Sequence, residues 1–196
     1  MVKYNYILAV FNHSIAHLLC IVITIIHIME TKRYKLEPLT TAHGAAVMAI
    51  FNYYIEHSFA AYLDKPLPVE FFPTMLEKTA GYPAYAIQEE ATAKTVGFCY
   101  LKPYHPFPTF KETAEITYFI APEHVGKGVG KLALDALELD GRDRGIKHIL
   151  ASISLLNEQS LAFHHKNGFS QCGCFKGIGI KNSTRFDMVW MEKDIE

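Results

Sequence analysis

The stretch Ile116-Thr117-Tyr118-Phe119-Ile120-Ala121-Pro122-Glu123-His124-Val125-Gly126-Lys127-Gly128-Val129-Gly130-Lys131-Leu132 decides how this chain is read. An apolar, β-branched run stops at a proline. Three glycines follow at alternate positions, and Leu132 to Leu139 then has the spacing of an amphipathic helix. The order strand, glycine loop, helix start places bare backbone N–H groups at the positive end of a helix, which suits a phosphate. Two familiar phosphate loops fail on spacing. A Walker loop needs Gly-x4-Gly-Lys followed by a hydroxyl, and here position 125 is valine and Leu132 follows Gly130-Lys131. A dinucleotide fingerprint needs Gly-x-Gly-x-x-Gly, and Lys131 holds the third glycine's place after Gly126-x-Gly128. A different phosphate loop, or a plain strand-to-helix turn, remains.

Outward from this stretch the pattern is mixed. Tyr34 to Leu39 reads as a strand. Thr40 or Thr41 can cap a helix running to about His57, with Ala46, Ile50, Phe51 and Tyr54 on one face. Residues 58–70 carry Pro66 and Pro68 and read as an irregular loop, and Glu70 to Lys78 as a short helix. Pro83 to Gln88 and Thr95 to Leu101 form a hairpin across a polar turn. Lys102 to Phe110 holds three prolines and three aromatics, a stiff surface loop of the kind that lines pockets or crosses between elements. Thr113 to Ile120 is the strand entering the glycine loop, and Gly130 to Arg144 a long helix closed by Gly145. His148 to Ser154 is a strand, Asn157 to Asn167 a helix, and Ser170 to Lys193 two strands turning around Lys181-Asn182-Ser183. This order predicts an α+β single domain, with a mixed, mostly antiparallel central sheet flanked by helices.

Downstream of the glycine loop, Asn157-x-x-Ser160-x-x-x-His164-x-x-x-Gly168-Phe169 places Asn157, Ser160 and His164 along one stripe of a helix. Upstream, Glu115 stands in an otherwise apolar strand, where a carboxylate is either solvent-facing or functional. The glycine loop and the Asn157 segment together resemble the GCN5-related N-acetyltransferases, in which Arg/Gln-x-x-Gly-x-Gly/Ala is the pyrophosphate loop. Gly128 and Gly130 fit that pattern, and Val125 stands where Arg or Gln is usual. Histidine at position 164, Thr113-Ala114-Glu115, Ile50-Phe51-Asn52 and Gly97-Phe98-Cys99-Tyr100-Leu101-Lys102-Pro103 resemble the phosphinothricin and methionine sulfone acetyltransferase branch. The resemblance spans about residues 33–194.

The resemblance implies acetyl-CoA as co-substrate and a small amine as acceptor. It implies a CoA site at Phe119, Ile120, Val125, Gly126, Lys127, Gly128, Val129, Gly130, Lys131, Asn157 and Ser160. An amino-acid amine is largely protonated at neutral pH, so transfer needs a base; the resemblance assigns Glu115. His164 is the candidate proton donor to the leaving thiolate, since imidazole titrates near working pH; otherwise it is a helix histidine satisfied by water or a carbonyl. In the branch an arginine of the proline-aromatic loop holds the acceptor's acid group. His105 takes that place here, which exchanges a fixed bidentate fork for a titratable donor. Tyr53, Tyr104, His105 and Phe110 are the candidate acceptor contacts. Cys99 is the cysteine nearest this site in sequence and a weak candidate nucleophile, so transfer is expected to be direct. The acceptor is expected to be a small amino acid or analogue. A polyamine, an aminoglycoside or a protein amine, or CoA binding without catalysis, are the competing readings. A homodimer is implied by the resemblance alone.

Composition sets limits on these readings. The chain has 196 residues, half of them hydrophobic, and a formal net charge of -1, so no basic field points to nucleic acid. Cys172-x-Cys174 is too closely spaced for a metal or redox pair; on a regular strand the two thiols would share a face, as free thiols. No metal site is expected. Ile7 to Ile28 carries no Asp, Glu, Lys or Arg and has the length of a membrane span. Met29-Glu30-Thr31-Lys32-Arg33-Tyr34 reads as an ordinary start of a soluble domain. Residues 1–28 are therefore expected to be an over-long gene start ahead of a cytoplasmic domain over 29–196. The alternative is a membrane anchor with Lys32, Arg33 and Lys35 on the cytoplasmic side.

Overall fold

Seven strands form one sheet in the computed structural model, which describes residues 33–196. They are β1 (Tyr34–Pro38), β2 (Ala84–Glu89), β3 (Thr95–Pro103), β4 (Thr113–Ile120), β5 (His148–Ser154), β6 (Ser170–Lys181) and β7 (Thr184–Asp194), in the order β1-β2-β3-β4-β5-β7-β6. Every neighbouring pair is antiparallel except β4 with β5. The helices are α1 (Gly44–His57), α2 (Phe72–Glu77), α3 (Val129–Asp143) and α4 (Glu158–Lys166). The predicted α+β class and mostly antiparallel sheet are what the structure contains. The leader at residues 1–28 lies outside the described residues; among the described ones, no helix is long and apolar enough to cross a membrane.

Strand alternation assigns the two faces. Phe98 packs toward α1 and α2 with Val47, Met48, Ile50, Phe72 and Met75, while Cys99 and Leu101 pack toward Val129, Ala133, Leu134 and Leu137 of α3. The buried arc of α1 is wider than predicted. Val47, Met48 and Ile55 are buried with Ile50, whereas Ala46, Phe51 and Tyr54 are only half-buried. Helix α3 ends as expected, with Gly145 in the left-handed region (φ 81°) and Ile146 donating back to the Gly141 carbonyl. Strands β6 and β7 join through Asn182 and Ser183, both at positive φ, the backbone a two-residue hairpin turn requires. A bulge between Gln171 and Gly173 breaks the alternation expected for Cys172 and Cys174: Cys172 is exposed and Cys174 half-buried against the core.

The parallel pairing of β4 with β5 covers only Thr113, Ala114 and Glu115 against His148, Ile149 and Leu150. Beyond Glu115 each strand stays with its other neighbour, β4 with β3 as far as Ile120 and β5 with β7 as far as Ser154. The sheet therefore opens into a wedge whose closed end is Glu115.

Candidate active site

Two adjoining cavities occupy the wedge and its mouth. The smaller, about 270 Å³, lies between Glu115–Phe119 of β4 and Ala151–Ser154 of β5, with Phe51, Tyr62, Tyr100, Lys102 and His164 in its walls. The larger, about 610 Å³, is bounded by the glycine loop, the start of α4, the end of β4 and Tyr54, Ser58 and Ala60. Ala60, Tyr118, Phe119, Asn157 and Ser160 belong to both walls, so a molecule held in one reaches the other.

The glycine loop is shaped by its backbone. Gly126 (φ 80°) and Gly128 (φ 79°) sit in the left-handed region, which side-chain-bearing residues rarely adopt. Gly128 is the N-cap of α3 and has no side chain to satisfy the first-turn N–H groups, so that helix end is open to an anion. At Gly130 a Cβ would come within 3.3 Å of the Phe163 ring, so glycine also permits α3 and α4 to approach. Val125, Gly126, Gly128, Gly130, Lys131, Phe119, Ile120, Asn157 and Ser160 all line the larger cavity. Two neighbours do not. Val129, the first residue of α3, is buried in the core, and Lys127 is exposed outside both walls. Lys131 is engaged with Asp135 one turn along. The Oδ1 of Asn157 accepts the Ser160 N–H at 3.2 Å as the N-cap of α4, which leaves its amide N–H groups for a ligand.

Glu115 is half-buried in the wall of the smaller cavity. It accepts from Ser152 Oγ at 3.0 Å and pairs with Lys102 Nζ at 2.8 Å, directly across the β3–β4 ladder. His164 is 3% exposed. Its Nδ1 lies 2.7 Å from the Ser160 carbonyl, which can only accept, so Nδ1 carries the proton and Nε2 accepts from Tyr118 Oη at 2.6 Å. Burial lowers the His164 pKa to about 4. At neutral pH the expected donor is thus a neutral imidazole with no spare proton, and the hydroxyl beside it is Tyr118. Burial also raises the Tyr118 pKa well above the ordinary phenol value. Cys99 is fully buried in the core and burial pushes its thiol pKa up, so it offers no accessible thiolate. No group of His, Cys, Asp and Glu able to hold a metal occurs among the described residues.

The predicted acceptor contacts fall elsewhere. Tyr53 is exposed on the outer side of α1 against Tyr54 and His57. Tyr104, His105 and Phe110 pack on one another, with Tyr104 edge-on to Trp190. None of the four is in the wall of either cavity. The reason is topological. The proline-aromatic loop closes on the start of β4, with Tyr104 N–H toward the Thr113 carbonyl, which is the paired end of the β4–β5 seam. The aromatic walls of the wedge come instead from Phe51, Tyr62, Tyr100 and Tyr118. Among the residues sequence reasoning missed, Phe163 and Asn167 repeat the helical spacing of Gln159 and were legible in principle. Tyr62 and Ser152 meet only through tertiary structure.

A splayed parallel pair, an open helix end at its mouth and a carboxylate at its vertex coincide with a family model. The Acetyltransferase (GNAT) family matches residues 47–169. The chain belongs to the GNAT acetyltransferase family. Similar to this acetyltransferase are a phosphinothricin N-acetyltransferase of Streptomyces viridochromogenes (26% identical; 85% of this chain, 91% of the relative) and an L-methionine sulfoximine/L-methionine sulfone acetyltransferase of Salmonella typhimurium (26%; 79% and 91%). Among solved structures, the Salmonella typhimurium acetyltransferase yncA with its cofactor acetyl-CoA shares the fold at a TM-score of 0.77 (24% identical; 84% of this chain, 95% of that chain). A Brucella melitensis ribosomal-protein-alanine N-acetyltransferase matches with a TM-score of 0.75 (28%; 82% and 99%).

Proposed function

We propose that this GNAT acetyltransferase moves the acetyl group of acetyl-CoA onto the amine of a small amino acid or amino-acid analogue, by direct transfer with Glu115 as base. The observation that carries the reading is the position of Glu115, a carboxylate in the wall of a 270 Å³ cavity that opens into the glycine-loop cavity. A cavity of that size takes a small acceptor, and its walls pair the Glu115 carboxylate with the Lys102 ammonium. The names of the relatives at 26% identity point the same way.

Residues fit the co-substrate on their own chemistry. The open N-terminus of α3 suits the pyrophosphate, and the walls shared by both cavities suit the arm that carries the thioester. The bound thioester supplies the activated acyl carbon. Glu115 takes a proton from the acceptor's ammonium and leaves a free amine lone pair. Lys102 and Ser152 hold the carboxylate in place during that transfer. Tyr118 lies on the shared wall with its one O–H proton held by His164 Nε2, so it hydrogen-bonds a leaving thiolate only by turning that proton away from the imidazole. A homodimer is proposed from the resemblance; exposed Phe175, Ile178 and Ile180 along edge strand β6 support it.

The test is thiol release from acetyl-CoA across a panel of methionine sulfone, unmodified amino acids, a polyamine and an aminoglycoside. Turnover confined to the amino-acid members is expected. Turnover confined to the polycationic amines, or CoA binding without turnover of any member, overturns the reading.

A further inference from the structure

Residues 58–62 cross the mouth of the wedge without helix or strand structure. Ser58 and Ala60 face the larger cavity, while Ala60, Ala61 and Tyr62 face the smaller. A segment with no ladder of its own must find partners for its carbonyls elsewhere. Here they come from the far end of the sheet. Lys181, the last residue of β6, is 1% exposed, and its Nζ donates to the Ser58 and Ala61 carbonyls at 2.7 Å each. No carboxylate lies within ion-pair distance of it among the described residues; two carbonyls meet its charge directly, and Asp64 attracts it from farther away. Burial lowers its pKa from the ordinary lysine value. Lys181 is also the one lysine buried among the described residues. The segment's other end is tied across the wedge, where Tyr62 Oη donates to the Ser152 carbonyl at 2.9 Å. Between the two ties, Phe59 and Tyr62 pack against Phe186 of β7, Tyr62 nearly parallel to it. Phe186 itself lies over Gly179, where a Cβ would come within 2.2 Å of the ring. The β6–β7 hairpin thus has a buried cation, an aromatic plate and a missing side chain, all directed at one short segment.

We propose that residues 58–62 are a strap whose placement sets acceptor affinity, and that Lys181 is the residue that positions it from outside the active site. The proposal rests on the acetyltransferase reading for its kinetic arm and on geometry alone for its structural arm. Lys181 touches neither cavity wall, so its influence passes through the two carbonyls it holds. Ser152, which also donates to Glu115, is where the strap's far tie meets the base. Slack in the strap therefore alters the acceptor cavity at the side where the amine must be presented.

The variant Lys181→Met keeps the buried stem and removes the donors. It should raise the acceptor KM by about tenfold or more with a much smaller change in kcat, because small misplacements of positioning groups have large kinetic effects. CoA affinity, measured by titration calorimetry, should fall less than acceptor affinity and stay within about threefold, since Ser58 and Ala60 are the strap's whole share of the larger cavity while the glycine loop and α4 are untouched. Amide hydrogen exchange over residues 58–64 should accelerate by about tenfold or more while β3, β4 and β5 keep their protection. The exchange arm needs no acceptor, so it separates failure of this proposal from failure of the functional reading. An unchanged acceptor KM or unchanged local exchange in folded Lys181→Met overturns the proposal, as does equal loss of acceptor and CoA binding. Should Lys181→Met not fold, Tyr62→Phe, which loosens the exposed end of the strap, decides: an acceptor KM within about twofold of wild type overturns the proposal.

Discussion

The glycine loop at 126–131 and the proline-aromatic loop at 103–110 flank the same strand, β4, yet only the glycine loop lines either cavity. The glycine loop acts through backbone. Two residues at positive φ and an uncapped helix start are set by local sequence, and they face the larger cavity. The proline-aromatic loop offers only side chains, whose direction depends on which end of the β4–β5 seam it meets. It meets the closed end, and its rings pack on Trp190 and on one another. Backbone-borne function is thus local, and side-chain-borne function waits on register.

The sharpest way to break this contrast is at the vertex between the two loops. Glu115→Gln keeps the shape and removes the proposed base, and should lower kcat/KM by about a hundredfold to ten-thousandfold at neutral pH, with CoA binding retained. A loss below tenfold in a pre-steady-state assay would mean that the base lies elsewhere. On the glycine-loop side, α4 contributes His164. The buried ring stays neutral down to about pH 4, whereas in the unfolded chain it takes a proton near 6.5. Below the unfolded value the unfolded chain therefore binds more protons. Stability is lost as pH falls from about 6.5 toward about 4, by up to about 3 kcal/mol. Urea titrations at the two ends of that range should show the loss in wild type and a smaller one in His164→Gln.

Smaller effects sharpen the comparison directly. Gly128→Ala forces a Cβ onto a left-handed N-cap at a cost of about 1 kcal/mol, and should raise the acetyl-CoA KM by about fivefold. Val125→Arg adds a cation to the cavity wall and should lower that KM by about threefold; an unchanged or higher value would count against placing phosphates there. The smallest effect is expected on the other loop. His105→Ala should leave the acceptor KM within about twofold, and a rise of tenfold would return that loop to the site.

These contrasts also mark what was legible in the sequence. Strands β4 and β5 fall where alternation places them, and the stripe Asn157, Ser160, His164 forms as spacing requires, because both depend on local periodicity. The wedge was not legible, since no residue announces that pairing stops after Glu115. Tyr118 and Phe119, adjacent on one strand, both reach the shared walls only because the sheet is open there. Nor was the state of His164, which follows from burial and a carbonyl at Ser160 rather than from its place in a motif. The bulge at Gln171/Gly173 likewise separates two cysteines that strict alternation would place together.

The three residue pairs that join β4 to β5 carry one more consequence. They make the sheet two plates, β1–β4 and β5–β7, with a narrow seam between them. A ligand lying in the wedge bridges both plates, so its binding free energy is added to the cohesion of the whole domain and not of one half. An acyl donor whose thioester reaches into the wedge would tie the halves together, and the protein's resistance to unfolding would then gauge how much donor surrounds it.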